Sequence, residues 1–261
     1  MTTQDFITEL FCIVDDRMAG VYRHPQAMLW PSETVTLGLL FALKGVGTRQ
    51  FHRWIARDCT DLFPDLPHRT RLFRLLRTHQ DWTDLFLASP SLLGVIDSYG
   101  IEMIHPVREG RSLRQRGRKG RSNSRWIVGG KLGLVLNHLG LVCAWECDTA
   151  NVSDIRFQHL AARFEEEMVV LGDTAFHAST GDPSNLKLCR RGEWNDRMLV
   201  ETVLSMLTVV CHLKKVTHRA WSCFRARLAF TMAVFNVLAQ WDGLRADENG
   251  KVHLSIARFS L

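Results

Sequence analysis

Two apolar runs of strand length each end at or near an aspartate, and these two runs constrain the fold more than any other feature of the chain. Residues 92–98 read LLGVIDS and residues 168–173 read MVVLGD, so the runs end at or near Asp97 and Asp173. Short continuous apolar runs are typical of strands buried in the middle of a sheet. If the two strands are neighbours, both carboxylates lie at one edge of the sheet, where open α/β sheets commonly bind ligands.

A third acid is expected to join them from a helix. Between residues 196 and 216 the apolar positions recur at intervals of four, three, four and three residues, which indicates an amphipathic helix with one buried stripe. A separate polar stripe consists of Arg197, Glu201, Ser205, Thr208 and His212. Glu201 is therefore predicted to project from the edge of the buried face, toward the two aspartates.

Three carboxylates held together would repel one another, and divalent cations resolve that conflict. Hard oxygen ligands suit Mg²⁺, with Mn²⁺ as a substitute. A pair of such ions about 4 Å apart stabilises the attacking and leaving oxygens of an in-line phosphoryl transfer. We therefore expect two ions at Asp97, Asp173 and Glu201. Simpler explanations stay open, namely a turn after a strand for each aspartate and an ion pair with Arg197 for Glu201.

The positive charge of the chain is concentrated in one segment. Residues 106–125 contain eight Lys or Arg and one Glu, a net charge of +7, whereas the whole chain carries +6. The segment is poor in large apolar residues, which predicts an exposed loop or a mobile hairpin. It is either a solvated linker or a nucleic-acid contact, and its seven arginines favour phosphate binding. The candidate DNA-contacting residues are Arg108, Arg111, Arg114, Arg116, Arg118, Lys119, Arg121, Arg125 and the nearby Lys131.

The first 90 residues read as helices, and one pair of them is compatible with DNA binding. The glycine turn at residues 45–47 separates two helical patterns, and the second carries Arg49 and Arg53 opposite an apolar side. A helix-turn-helix DNA reader has this organisation. Any helical hairpin with a basic outer face has it as well.

The composition excludes some classes of protein. With 46% hydrophobic residues the chain is too apolar to be disordered, and no apolar stretch reaches the roughly 20 residues that a membrane span needs. No secretory leader opens the sequence, so we expect a cytoplasmic protein. The seven scattered cysteines lack a zinc-binding pattern and are expected to be reduced core residues.

Past residue 90 the pattern changes from helices to strands. Residues 125–137 and 139–149 are predicted as two strands joined by the tight turn NHLG. A helix that Ser153 or Asp154 can cap follows, then the strand ending at Asp173, a short strand (LKLCRR) and two long helices. An antiparallel start extended by parallel strands with crossover helices is the mixed arrangement of a ribonuclease H-like domain.

We therefore predict an α/β fold, a ribonuclease H-like mixed sheet flanked by helices. An all-helical N-terminal domain over residues 1–90, used for DNA binding or dimerisation, is expected to precede the catalytic domain over residues 91–243. The last segment, residues 244–261, is expected to be a peripheral tail.

Several segments resemble the DDE transposases of bacterial insertion sequences, which have a ribonuclease H-like catalytic core. VIDSYGIEM resembles the strand with the first aspartate, GGKLGLVLN the GYKLHL stretch, TANVSD the GNVHD turn and LGDTAF the second-aspartate motif GDKGY. WNDRMLVETVLSML resembles the glutamate signature, since Arg197 precedes Glu201 by four residues. Trp194 stands where the family has a tyrosine, and Thr208 where it has a lysine. The likeness spans roughly residues 92–240.

This resemblance implies that Asp97, Asp173 and Glu201 bind the metal ions and that Arg197 and Trp194 contact DNA. Trp194 is equally explained as a core tryptophan at a helix start, and Lys214 and Lys215 are further candidates for phosphate contacts. These residues, together with the basic residues named above, form the candidate site of the chain.

The activity that the resemblance implies is metal-dependent hydrolysis at the end of an element, followed by attack of the liberated 3′-hydroxyl on a target phosphodiester. The implied partners are double-stranded DNA, as terminal inverted repeats and as target, and a second copy of the chain on paired ends. A nucleoid-associated location follows, with no membrane and no small-molecule substrate. Two other functions remain open, a ribonuclease H-like nuclease or resolvase and a transposase-derived DNA-binding protein without catalysis.

Overall fold

The computed structural model describes residues 2–110, 117–122, 125–190, 197–214, 220–244 and 254–259, with only the backbone of Arg197 and Met198. These residues form a mixed α/β fold in which a curled, six-stranded sheet is flanked by helices.

Helices occupy the chain before the sheet. They are α1 (Thr3–Arg17), α2 (Pro31–Lys44), α3 (Thr48–Asp58) and α4 (Arg69–Thr78), followed by a 3-10 helix (Gln80–Phe86). Almost every residue of α2 is buried, because the helix packs against α1 on one side and against the long C-terminal helix on another. Gly38 allows this close approach, since a Cβ at that position would lie 2.2 Å from the ring of Phe230.

The strands are β1 (Leu93–Ile104), β2 (Arg118–Ser122), β3 (Arg125–Asn137), β4 (Val142–Thr149), β5 (Val169–Asp173) and β6 (Leu186–Cys189). Their order is β2-β3-β1-β5-β6, and β4 pairs with the part of β3 that β2 leaves open. The pairs among β1, β2, β3 and β4 are antiparallel, whereas β5 and β6 run parallel to β1. The sheet is therefore mixed, as predicted.

Helices cover both faces of the sheet. The remaining helices are α5 (Gln158–Ala162), α6 (Arg197–Val209) and α7 (Trp221–Asp242), with 3-10 helices at Pro106–Arg108, Asp154–Phe157, Thr174–Phe176 and Ala257–Phe259. Buried side chains of α6, α7 and the N-terminal helices form one large cluster with one face of β1 and β3. A smaller cluster lies on the other face, around Phe157 and Leu160.

Helix α7 is the central core helix. Within the described part of the chain it alone is long and apolar enough to cross a membrane, but 83% of its most apolar window is buried inside the protein. The continuous apolar stretch in this helix, Leu228–Ala239, stays shorter than a membrane span, because the first turns of α7 also contain Arg225 and Arg227. Its burial accounts for its apolar composition.

Several predicted boundaries differ from the observed ones. Strand β1 continues past Asp97 to Ile104, because it pairs with β3 over nearly its whole length. Strand β4 begins after the predicted start, because Gly140 has a positive φ of 77° and its N–H donates to the Asn137 carbonyl oxygen at 2.9 Å in the turn. The turn itself was predicted.

Helix α6 also ends before residue 216, its predicted limit. The chain leaves the helix at Val209 and turns at His212, which has a positive φ of 52°. The His212 ring packs against the turn after α2, where a Cβ on Gly45 would lie 2.1 Å from it. A tertiary contact therefore ends a helix whose apolar pattern continues.

The cysteines are free, as expected, but not all of them are core residues. Cys59, Cys143, Cys147 and Cys211 are buried, whereas Cys12 is exposed. Burial raises the pKa of the Cys143, Cys147 and Cys211 thiols to about 12, which keeps them protonated and unreactive.

Residues on both sides of the predicted domain boundary near residue 90 contribute to the same buried cluster. Leu39 of α2 and Leu134 of β3 both belong to it. The division into a separate helical domain stays a prediction, as does the role of the C-terminal tail.

Candidate active site

Strands β1 and β5 place Asp97 and Asp173 at equivalent positions. The parallel ladder between them runs from Leu93 and Val169 to Val95 and Leu171 and then stops. Both aspartates lie two residues beyond the last of these pairs. Because side chains alternate along a strand and paired residues share a face, both carboxylates leave the sheet on the same face.

That face is the one that packs against α6. Val95 and Ile101 share the face of Asp97 and belong to the large buried cluster, together with Val200 and Val203 of α6. Glu201 follows Val200 on the same helix and is exposed at the edge of the packed surface. The helix therefore brings the third predicted acid to the face that carries the two aspartates.

All three acids line a single cleft of about 540 Å³, which we call the acid cleft. Ser205 and Thr208, which follow Glu201 on the polar stripe of α6, line it as well. The stripe faces the cleft because residues i, i+4 and i+7 lie on one side of a helix. The cleft extends along the edge of β1 that β5 leaves unpaired, from Asp97 to Gly100.

The chain itself orients the two aspartates. Asp97 Oδ1 accepts a hydrogen bond from the Ser98 N–H at 2.7 Å, and Asp173 Oδ1 accepts one from the Ala175 N–H at 2.8 Å. Asp173 thereby caps the 3-10 helix that follows β5, so the simpler explanation of this residue holds alongside its place in the cleft. For Asp97 the explanation as a turn residue is wrong, because β1 continues beyond it.

The alternative explanation of Glu201, an ion pair with Arg197, concerns a side chain outside the described part of the structure. Trp194 and Lys215 also lie outside the described residues. Lys214 is described and lines the acid cleft. Its Nζ lies 5.4 Å from the centre of the Tyr99 ring, so its charge stands at the rim of the cleft.

The acids do not form a closed metal site. Among the residues that the structure describes, no three His, Cys, Asp or Glu side chains converge closely enough to hold a metal ion. Its described lining residues offer carboxylate oxygens, and no thiol or imidazole group is among them. Such a donor set suits magnesium or manganese better than zinc or copper.

Asp154 is a fourth acid in the cleft, and no pattern in the sequence predicts its place there. The sequence predicts Ser153 or Asp154 as a helix cap, but the N-cap of the following 3-10 helix is Ser153, without a side-chain cap. The Asp154 carboxylate instead forms an ion pair with Lys131 at 3.1 Å. The TANVSD segment contained this residue, but only the pairing of distant strands reveals its partner.

The positive charges divide between the cleft and an exposed hairpin. Strand β2 and residues 125–129 of β3 pair as a hairpin, which we call the basic hairpin. Its exposed basic residues are Arg118, Lys119, Arg121 and Arg125, and Arg121 also lines the acid cleft. Lys131 differs from them, because its side chain is 13% exposed and is paired within the cleft wall.

The other candidate DNA contacts have different positions. Arg108 is exposed in the 3-10 helix after β1, and Arg49 and Arg53 are exposed on α3, away from the lining of the acid cleft. The remaining candidates of the basic segment, Arg111, Arg114 and Arg116, lie outside the described residues.

A smaller groove continues the acid cleft along the second half of β1. It measures about 280 Å³ and shares Gly100 and Lys214 with the cleft. His105 and Arg125 line it, and Arg125 lies 3.7 Å from the Glu102 carboxylate. The acids are thus bordered on one side by cationic side chains.

No protein-family model matches the chain. No curated protein matches it at a significant level either. The residues of the acid cleft and the basic hairpin therefore carry the functional conclusion by themselves.

Proposed function

We propose that the chain is a DDE-type DNA transposase, which cleaves DNA at the ends of an insertion sequence and joins them to target DNA. The observation that carries this proposal is the acid cleft, which is lined by carboxylates from β1, β5 and α6 and borders the basic hairpin. Acids on these three elements are what the resemblance of the sequence to DDE transposases implies.

The arrangement of the strands supports the same proposal. An antiparallel set, β1 with β3 and β3 with β4, is extended by the parallel strands β5 and β6. This is the mixed arrangement of ribonuclease H-like domains, and it places the first and second aspartates on adjacent strands. We therefore assign the catalytic domain to that fold group as part of the proposal.

Magnesium ions fit the oxygen ligands of the cleft. We propose that Asp97, Asp173 and Glu201 hold two of them, which would activate the attacking oxygen and stabilise the leaving oxygen. The Ser98 and Ala175 N–H groups fix the orientation of the two aspartates before any ion binds. Lys214, at the rim, is placed to contact a phosphate of the substrate.

Double-stranded DNA is the proposed substrate, in the form of terminal inverted repeats and a target. The exposed arginines of the basic hairpin offer bidentate contacts to phosphate oxygens next to the acids. Since both ends of an element must be cut, two copies of the chain are proposed to act on paired ends. A cytoplasmic, nucleoid-associated location follows from this substrate.

A cleavage and joining assay tests the proposal. The protein is incubated with Mg²⁺, a supercoiled plasmid and a labelled linear DNA that carries the sequences flanking its gene. We expect labelled DNA joined to the plasmid. Cleavage without joining would instead identify a nuclease or resolvase, and binding without cleavage would identify a non-catalytic DNA-binding protein.

Replacing Arg118, Lys119, Arg121 and Arg125 together with serine is expected to weaken DNA binding. The slope of log K against log salt is negative, and each phosphate contact that is lost reduces its magnitude by about 0.9. If all these residues touch phosphates, the magnitude of the slope falls by about 3.6 and the affinity falls more than about tenfold at low salt. Fluorescence anisotropy with labelled duplex across a salt series measures both quantities.

The matched control removes the same charge elsewhere. Arg17, Arg71, Arg74 and Arg77 are exposed on α1 and α4, outside the hairpin and the acid cleft. Their replacement with serine is expected to leave the salt slope within about one unit of the original value. Equal losses in both variants would show that the hairpin has no special role.

A further inference from the structure

A polar network lies on the face of the sheet opposite the three acids. Lys131 of β3 is the register partner of Gly100 in β1, so it shares a face with Ser98 and not with Asp97. Asp154 approaches the same face from the 3-10 helix after β4. The acid cleft reaches all of these residues because it passes around the unpaired edge of β1.

One carboxylate oxygen joins the parts of this network. Asp154 Oδ1 accepts a hydrogen bond from Lys131 Nζ at 3.1 Å and another from the Ser98 hydroxyl. Lys131 Nζ also donates to the Val152 carbonyl oxygen at 2.7 Å, which fixes the turn that carries Asp154. The Lys131 and Asp154 side chains are 13% and 22% exposed, so little water competes for these bonds.

The network lies one residue from the first aspartate. Ser98 donates its hydroxyl hydrogen to Asp154 and its backbone N–H to the Asp97 carboxylate. Strand β5 pairs with β1 only as far as Val95, so it does not hold this part of the strand. Within the part of the chain that the structure describes, pairing with β3 and the bond to Asp154 therefore hold Ser98 in its orientation.

We propose that Lys131 and Asp154 are positioning residues that act through Ser98 to hold Asp97 in its orientation toward the acid cleft. This inference rests on the proposed function, because it gives the pair a role in the same reaction. Lys131 is thereby assigned to the cleft wall and not to the surface that grips DNA.

The expected effects differ from those of a DNA contact. Loss of a residue that orients a metal-binding carboxylate commonly costs about 10–100-fold in metal affinity or activity. Asp154→Asn and Ser98→Ala are each expected to lower kcat for strand cleavage within about that range and to leave KM for DNA unchanged. Ser98→Thr retains the hydroxyl, so, unlike Ser98→Ala, it is expected to keep the wild-type kcat.

Asp148→Asn is the matched control. Asp148 forms an ion pair with Arg156 at 3.3 Å, which joins β4 to the same 3-10 helix but lies outside the lining of the acid cleft. If the Lys131–Asp154 pair only stabilised this turn, Asp148→Asn and Asp154→Asn would have the same effect. We expect wild-type kcat for Asp148→Asn.

A second readout does not require activity. Amide hydrogen exchange of the metal-free protein, followed by NMR, is expected to speed up at Ser98 in Asp154→Asn and to stay unchanged in Asp148→Asn. If Asp154→Asn retains wild-type kcat and wild-type exchange at Ser98, the inference is wrong while the proposed function stands. If the wild-type protein does not cleave DNA, the proposed function is wrong, and exchange at Ser98 alone decides the inference.

Discussion

Replacing Asp97 or Asp173 with asparagine is expected to reduce magnesium-dependent DNA cleavage by more than about 100-fold, beyond the range typical of residues that only orient a metal ligand. Asparagine has nearly the same shape as aspartate but removes the charge that a divalent cation requires. The two residues lie side by side on adjacent strands. Because both are proposed to hold metal ions, loss of either carboxylate is expected to disrupt the site. Single-turnover cleavage of labelled DNA, over a range of Mg²⁺ concentrations, measures the effect.

Glu201→Gln is expected to have a similar effect, since Glu201 lines the same cleft from α6. Asp65→Asn and Glu166→Gln serve as controls, because both residues are exposed and lie outside the cleft lining. These controls are expected to cleave at the wild-type rate. Wild-type cleavage by a folded Asp97→Asn variant would place the reaction somewhere other than the acid cleft.

The parts of the site that depend on local periodicity could be predicted from the sequence. The polar stripe of α6 placed Glu201, Ser205 and Thr208 on one side of the helix, and all three line the acid cleft. The apolar runs before Asp97 and Asp173 indicated two buried strands, and these strands are adjacent and parallel. Each of these predictions needs only the period of a helix or a strand.

The open edge of β1 could not be predicted, because it depends on where a distant strand ends. The apolar run stops near Asp97, but the strand continues to Ile104 with β3 as its partner. Pairing with β5 ends at Val95. The cleft exists because β1 pairs with β3 much farther along its length than it pairs with β5. No local sequence pattern shows where the pairing with β5 ends.

The polar network illustrates the same limit at the level of side chains. Asp154 follows Ser153 at the start of a helical turn, where capping is the usual role of either residue. Its actual partners, Lys131 and Ser98, come from two different strands. Only the register of β1 against β3 brings these two residues to one face.

The basic segment shows how pairing can order a sequence with little apolar content. Residues 118–122 (RKGRS) have no apolar side chain, yet they form β2, because the first residues of β3 provide a partner for their backbone groups. The exposed charges of β2 oppose pairing with other chains at this edge of the sheet. A hairpin, one of the two predicted alternatives for this segment, is therefore present in its described part.

Asn236 of α7 ties the core helix to the sheet and to the N-terminal part of the chain. Its side-chain oxygen accepts a hydrogen bond from the Val142 N–H at 2.9 Å, and its side-chain nitrogen donates to the carbonyl oxygens of Val142 at 2.8 Å and Phe86 at 3.0 Å. The residue is fully buried. The Val142 carbonyl oxygen also accepts a bond from the Ala88 N–H, so it would keep one partner without Asn236.

Asn236→Leu is expected to lower the free energy of unfolding by about 3 kcal/mol, since it leaves the Val142 N–H and the Phe86 carbonyl buried without this partner, at about 1–3 kcal/mol each. Urea denaturation measures the change as a lower midpoint with an unchanged slope. The control is Asn151→Leu, at an exposed position in the turn after β4, where the cost is expected to stay within about 0.5 kcal/mol. Equal stability of the two variants would mean that α7 is held to the sheet by apolar packing alone.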